Sequence, residues 1–178
     1  MISIAYSAGL FGIDGYLVTV ECHFSSRLSC FEIIGLPDNA IKEAKERVKA
    51  ACANSRLPFP DCELIVNLAP ANMPKEGSSY DVAILMSVLK SNNTIKKDAS
   101  FDDYCFIGEL SLSGDIKPIN GVLCMASAAK RAGKTTLFVP KENANEASVV
   151  GDITVYGVNN VTEIVDFLNG IRVLEPTT

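Results

Sequence analysis

The sequence predicts an α/β domain of the α+β kind, with antiparallel hairpins early in the chain and strand–helix units later. Three observations predict it. Two β-like runs near the N-terminus flank a glycine-rich stretch. Apolar residues then recur at helical spacing over residues 38–54. Beyond residue 105, short apolar runs alternate with helical patterns closed by glycine. A chain of 178 residues, 48% of them hydrophobic, is long enough for one domain with its own core.

Residues 2–8 (ISIAYSA) and 16–24 (YLVTVECHF) read as strands joined through Gly9, Gly12, Asp14 and Gly15. Residues 30–34 (CFEII) form a third strand, halted by Gly35. Asp38 is placed to cap a helix running to Asn54, before Pro58 and Pro60, with Ile41, Ala44, Val48 and Ala51 as its buried face. Residues 63–68 (ELIVNL) give a strand, and 69–79 a loop punctuated by proline and glycine. Ser78 or Ser79 is placed to cap the next helix, over 80–89, whose apolar residues wrap so widely that it should be largely buried.

Residues 91–103 are polar and read as loop. Residues 105–112 and 115–119 flank the turn dipeptide Ser113-Gly114. A helix over 121–132 closes at Gly133, where Lys130, Arg131 and Lys134 suit the negative end of its dipole. Strands follow at 135–139 and 153–157, with a short helix at 143–150 between them. A helix over 160–169 stops at Gly170, and residues 171–178 read as a linker.

The net charge of −5 argues against a nucleic-acid binder that uses its whole surface, but leaves room for a local basic stripe. Lys42, Lys45 and Lys49 form such a stripe at helical spacing, extended by Arg47 and diluted by Glu46. It is either a solvated helix face or a contact for phosphate or a partner. No apolar run approaches the roughly 20 residues of a membrane span, and the N-terminus lacks the pattern of a signal peptide. The six cysteines show no C-x-x-C spacing, and Cys22, Cys30, Cys105 and Cys124 lie in or beside apolar stretches. They read as reduced core thiols of a cytoplasmic protein. With His23 as the single histidine, no metal site is expected.

Gly133-Lys134-Thr135 fits a relaxed phosphate-loop pattern, but a helix precedes it and a strand follows, the reverse of what phosphate binding needs. Lys75-Glu76-Gly77-Ser78-Ser79 places hydroxyls at a helix start, where either a cap or a serine nucleophile with a lysine base is conceivable.

Pro74-Lys75-Glu76-Gly77-Ser78-Ser79 resembles a loop of Lon-type proteolytic domains. Gly108-Glu109-Leu110-Ser111-Leu112-Ser113-Gly114 and Lys117-Pro118-Ile119-Asn120-Gly121 resemble the Lon hairpin that precedes its catalytic helix, and Arg131-Ala132-Gly133 and Val139-Pro140-Lys141-Glu142-Asn143 continue the likeness. Gly35-Leu36-Pro37-Asp38-Asn39-Ala40, Glu43, Glu46-Arg47-Val48, Val66-Asn67-Leu68-Ala69-Pro70-Ala71 and Lys75 through Asp81 resemble more closely the N-terminal domain of the ComM/YifB family of magnesium-chelatase-like AAA+ ATPases.

The resemblance implies a Lon proteolytic-domain-like fold, related to ribosomal-protein and GHMP-kinase domains, with a left-handed βαβ crossover. It implies a domain over residues 1–170, with 171–178 beginning the linker to an AAA+ module outside this sequence. Such proteins resemble hexameric ATP-driven motors that remodel branched DNA in natural transformation. ATP and magnesium would belong to that module, with no cofactor in this domain. Ser79 matches the Lon nucleophile, whereas Leu123 stands where the Lon lysine base belongs, so the domain is expected to be non-catalytic. Its expected roles are ring assembly with neighbouring subunits and DNA contact through Lys42, Lys45, Arg47 and Lys49. The alternatives are a serine peptidase using Ser79 with a non-standard lysine, and a protein-recruitment module without DNA contact.

Overall fold

Alternating apolar and polar residues build an antiparallel hairpin from β1 (Ile2–Phe11) and β2 (Asp14–Ser25). The computed structural model describes residues 1–96 and 98–178; of the loop expected over 91–103, residue 97 lies outside the described residues. The hairpin is tighter than the glycine-rich connection expected. Pairing runs on to Phe11 opposite Asp14, leaving only Gly12 and Ile13 to turn. Gly12 takes a φ of 63°, the positive value such a turn asks of its first position.

β3 (Cys30–Ile34) and β4 (Glu63–Ala69) complete a four-stranded sheet in the order β1-β2-β4-β3. β3 and β4 are parallel, so a helical crossover must join them. Asp38 caps it as expected, its Oδ1 accepting from the Ile41 N–H at 2.9 Å. Ile41, Ala44, Val48 and Ala51 are all buried. The single helix expected is instead two, α1 (Asn39–Lys42) and α2 (Ala44–Asn54). At Glu43 the hydrogen-bond spacing shortens, with the Glu46 N–H on the Glu43 carbonyl at 3.0 Å, and this restarts the helix.

α3 (Asp81–Ser91) is buried at every position from Asp81 to Leu89, as its all-round apolar surface predicted. The expected serine cap is absent. Tyr80 holds the N-cap position without a side-chain cap bond. The strand expected over 105–112 is also divided. β5 (Tyr104–Phe106) joins a parallel sheet ordered β5-β8-β9 with β8 (Thr136–Pro140) and β9 (Thr154–Val158). β6 (Glu109–Leu110) pairs separately with β7 (Ile116–Lys117). Gly108, between the two parts, donates to the Ser79 carbonyl at 3.0 Å and accepts from the Val82 N–H at 3.3 Å, which clips this bend to the start of α3.

α4 (Val122–Arg131) ends before Gly133, whose φ is 89°. A 3-10 turn, Lys141–Asn143, leads into α5 (Ala144–Ser148), where a longer helix was expected. α6 (Val161–Leu168) is capped by Asn160, whose side chain accepts from the Glu163 N–H at 3.0 Å. The basic residues around the end of α4 make tertiary contacts. Lys130 reaches Asp152 at 3.8 Å, and Lys134 sits 3.3 Å from the Tyr6 ring centroid.

The four-stranded sheet packs one face on α2 and α3. Its other face is covered by α4 only over the hairpin half, where Ala8 and Leu10 meet Val122 and Met125. The approach is close: a side chain at Gly15 would come within 2.2 Å of the Cys124 carbonyl oxygen. The other half of that face is open, and Ile2, Ile4 and Ile34 are exposed on it. Residues 171–178, expected as a linker, lie back on the domain: the Thr177 N–H donates to Val155 at 2.8 Å and Leu174 packs on the core. Cys22 and Cys105 are buried as expected, but Cys30 is exposed and Cys52 takes a core place instead.

Candidate functional site

Two loops are stitched together beside the hairpin tip. The Lys75 N–H donates to the Leu36 carbonyl at 3.0 Å, and the Asp38 N–H to the Lys75 carbonyl at 3.1 Å. Asp38 then receives the Gly77 N–H on Oδ2 at 2.9 Å, while its Oδ1 caps α1. One carboxylate thus fixes both the crossover helix and the loop carrying Ser78 and Ser79.

Lys75 is only 1% exposed. Its ammonium donates to the Gly35 carbonyl at 2.8 Å and also to the Pro70 carbonyl. Burial lowers its pKa. Its amine thus clasps the backbone of two loop segments.

The stitched loops wall a cleft of about 670 Å³ lined by Leu10, Asp38, Glu76, Ser78, Ser79, Ile119, Asn120 and Met125. Ser79 is 6% exposed and lines this cleft. Among the described residues, the charged side chains on the cleft are the carboxylates of Asp38 and Glu76, and no lysine or histidine lines it. An unactivated serine in such surroundings is a poor nucleophile.

Leu123 does not share this cleft. It is 40% exposed and lines a second one, of about 620 Å³, with Ile13, Gly15, Lys130 and Arg131. Met125, two residues on, is the α4 side chain that faces Ser79's cleft.

The basic stripe is thinner than expected. Lys42 and Lys49 are exposed, but Lys45 lies 3.8 Å from Glu32. Arg47 leaves the stripe altogether. Its Nε and Nη2 donate to the two oxygens of buried Asp81 at 2.6 and 3.0 Å, and Nη2 also reaches the Ala40 carbonyl at 2.7 Å. The carboxylate raises the pKa of Arg47. Burial pushes the Asp81 carboxyl up, opposed by Arg47 and by the Leu110 N–H at 3.0 Å, and the bidentate geometry keeps the pair ionic.

Sequence reasoning missed the Asp38–Gly77 tie, the Lys75 clasp and the Arg47–Asp81 pair. The first joins residues 39 positions apart and the last residues 34 apart, so no local spacing reveals them. Among the described residues no three His, Cys, Asp or Glu side chains could hold a metal, and no helix is long and apolar enough to cross a membrane.

The family model for subunit ChlI of magnesium chelatase matches residues 20–143. Competence protein ComM of Haemophilus influenzae is 38% identical over 170 residues, which is 95% of this chain and 33% of that protein. This chain belongs to the ComM/YifB family. YifB of Escherichia coli is 31% identical over 174 residues, covering 98% of this chain and 34% of that protein. A Lon protease of Clostridium beijerinckii is 26% identical over 149 residues, 78% of this chain and 18% of the protease. The chain spans about a third of the length of the curated ComM and YifB relatives it matches. Of the Lon-like stretches, 74–79 and 117–121 contribute lining residues to the Ser79 cleft, together with Asp38 of the ComM/YifB-like stretch 35–40.

Proposed function

We propose that this chain is the non-catalytic N-terminal domain of a ComM-like, magnesium-chelatase-related AAA+ ATPase. In this reading it supports ring assembly and contacts DNA while the motor remodels branched DNA during natural transformation in the cytoplasm. ATP and magnesium would be held by the ATPase module that residues 171–178 lead toward. The same reading takes the β3–α2–β4 crossover as left-handed, as in Lon-like folds.

The observation that supports the non-catalytic part is the Ser79 cleft, where, among the described residues, carboxylates stand and no amine does. A serine-directed phosphonate probe tests it. The intact fold should remain unlabelled, and labelling at Ser79 would revive the peptidase alternative. DNA contact is supported by exposed Lys42 and Lys49. Anisotropy with forked DNA at low and physiological salt tests that part. Salt-sensitive binding, weakened by Lys42→Glu with Lys49→Glu, is expected. No binding at low salt would overturn the DNA contact.

The stripe's depletion favours a second reading, a protein-recruitment module. Lys45 is engaged with Glu32 and Arg47 with Asp81, while Glu43 and Glu46 interrupt the remaining lysines. Capture of a protein partner with no DNA binding would support it.

A further inference from the structure

We propose that Asn120 is a site of spontaneous covalent modification, converting from amide to acid through a cyclic imide formed with Gly121. The inference does not rest on the DNA-motor reading.

The chain holds two Asn-Gly pairs, Asn120-Gly121 and Asn169-Gly170. In such a pair the glycine amide nitrogen can reach the asparagine side-chain carbon, because the glycine has no Cβ to hinder the approach. The fold treats the two pairs differently. Asn169 is half-buried and both ends of its carboxamide are held: Oδ1 accepts from the Lys96 N–H and Nδ2 donates to the Thr94 carbonyl, each at 2.9 Å. The Gly170 N–H is engaged as well, donating to the Phe167 carbonyl at 3.1 Å. Nucleophile and electrophile are tied to separate partners, so ring closure there needs local opening.

Asn120 is exposed on the Ser79 cleft, and among the described residues its carboxamide has no comparable hold. Gly121 stands at the N-cap of α4 with a φ of 83°. Its carbonyl begins the helical ladder, accepting from the Met125 N–H at 3.2 Å, so its own N–H lies ahead of that ladder. The positive end of the α4 dipole favours the negative charge that builds on this nitrogen as its proton leaves. Asp38 and Glu76, on the same cleft, act against that charge, screened by solvent.

The Gly121 nitrogen gives its proton to water and bonds to the Asn120 side-chain carbonyl carbon. The carbon–nitrogen bond of the carboxamide breaks, and ammonia leaves with a solvent proton. Water then opens the imide. Opening at the side-chain carbonyl leaves aspartate, and opening at the backbone carbonyl leaves isoaspartate. Water is consumed and ammonia released, with no oxidant or reductant. Either product places a third carboxylate beside Asp38 and Glu76. Isoaspartate also lengthens the main chain between two pinned neighbours. The Ile119 N–H and carbonyl are both held by Asn143 at 3.0 Å, and a Cβ at Gly121 would come within 2.4 Å of Leu10. The added length must therefore be taken up in the wall of the cleft.

Peptide mapping of the whole folded chain after prolonged incubation at neutral pH tests the proposal, with isoaspartate counted by enzymatic methylation and released ammonia assayed alongside. Aspartate and isoaspartate should accumulate at position 120 about tenfold faster than at 169, and the two rates should converge in chain unfolded by guanidinium chloride. Asn120→Gln, at an exposed position, should remove most of the ammonia release, because its longer side chain closes a less favoured ring. Conversion at 120 no faster than at 169 in the folded chain would overturn the proposal. So would a ratio of the two rates that unfolding leaves unchanged, or undiminished ammonia release from the Asn120→Gln variant.

Discussion

Arg47 of α2 grips Asp81, the first residue of α3, through two hydrogen bonds of 2.6 and 3.0 Å, and Asp81 in turn holds the Leu110 N–H at 3.0 Å. Three segments far apart in sequence meet at this one buried carboxylate: the crossover helix, the central helix and β6. The same contact removes Arg47 from the surface where DNA contact was expected.

Breaking this pair from one side should be costly. Arg47→Met leaves a buried carboxylate unpaired, and the expected loss is about 3–5 kcal/mol in urea unfolding. Pairing it with Asp81→Leu should recover much of that loss, because no charge then remains buried. A double-mutant cycle reads the coupling directly. Additive losses would mean that the two residues act separately.

Lys75→Met should loosen the loop over residues 70–79. It leaves the Gly35 and Pro70 carbonyls without their donor, at an expected cost of about 1–3 kcal/mol. Limited proteolysis should show earlier cleavage within that loop. Unchanged cleavage and stability would show that the clasp contributes nothing.

Leu123→Lys should leave Ser79 unlabelled by a serine-directed probe. The new amine would stand in the cleft shared with Ile13 and Arg131, whereas Ser79 faces the cleft of Asp38 and Met125. Labelling of the variant would mean that α4 brings position 123 to the serine.

Alkaline pH should destabilise the fold through its buried thiols. Burial pushes Cys22 up to about 11, and Cys52 and Cys105 each to about 12, from an ordinary value of 9.0. Between pH 9.0 and about 11 the unfolded chain loses protons that the folded chain keeps, so stability falls as pH rises. Each thiol contributes a slope of about 1.4 kcal/mol per pH unit where it is fully expressed. Lys75, Lys90 and Lys134, whose pKa values burial lowers, act in the opposite direction as pH rises toward 10.5. The thiol part is therefore isolated by comparison with a variant carrying alanine at 22, 52 and 105. That variant should show a flatter alkaline decline, and an equal decline would discard the thiol mechanism.

Much of the fold was legible in the residues alone. Strand alternation in β1 to β4, the Asp38 cap, the buried stripe of Ile41, Ala44, Val48 and Ala51, and the glycine after α4 all follow from spacing along the chain. These are local signals, set by backbone geometry within a few residues. The motifs around residues 35–40 and 74–81 also marked the family and the loops that form the cleft.

The tertiary structure decided which side chains meet. Only packing could turn Arg47 inward onto Asp81, divide the expected 105–112 strand between two sheets, and fold residues 171–178 back beside Val155. Only packing could separate Leu123 from Ser79 while bringing Asp38 to Gly77. The physical reason is common to all of these. Periodicity tells which face of an element is buried, but a buried charge or orphaned carbonyl is satisfied by whatever group the fold brings within hydrogen-bond reach, and sequence distance does not constrain that choice.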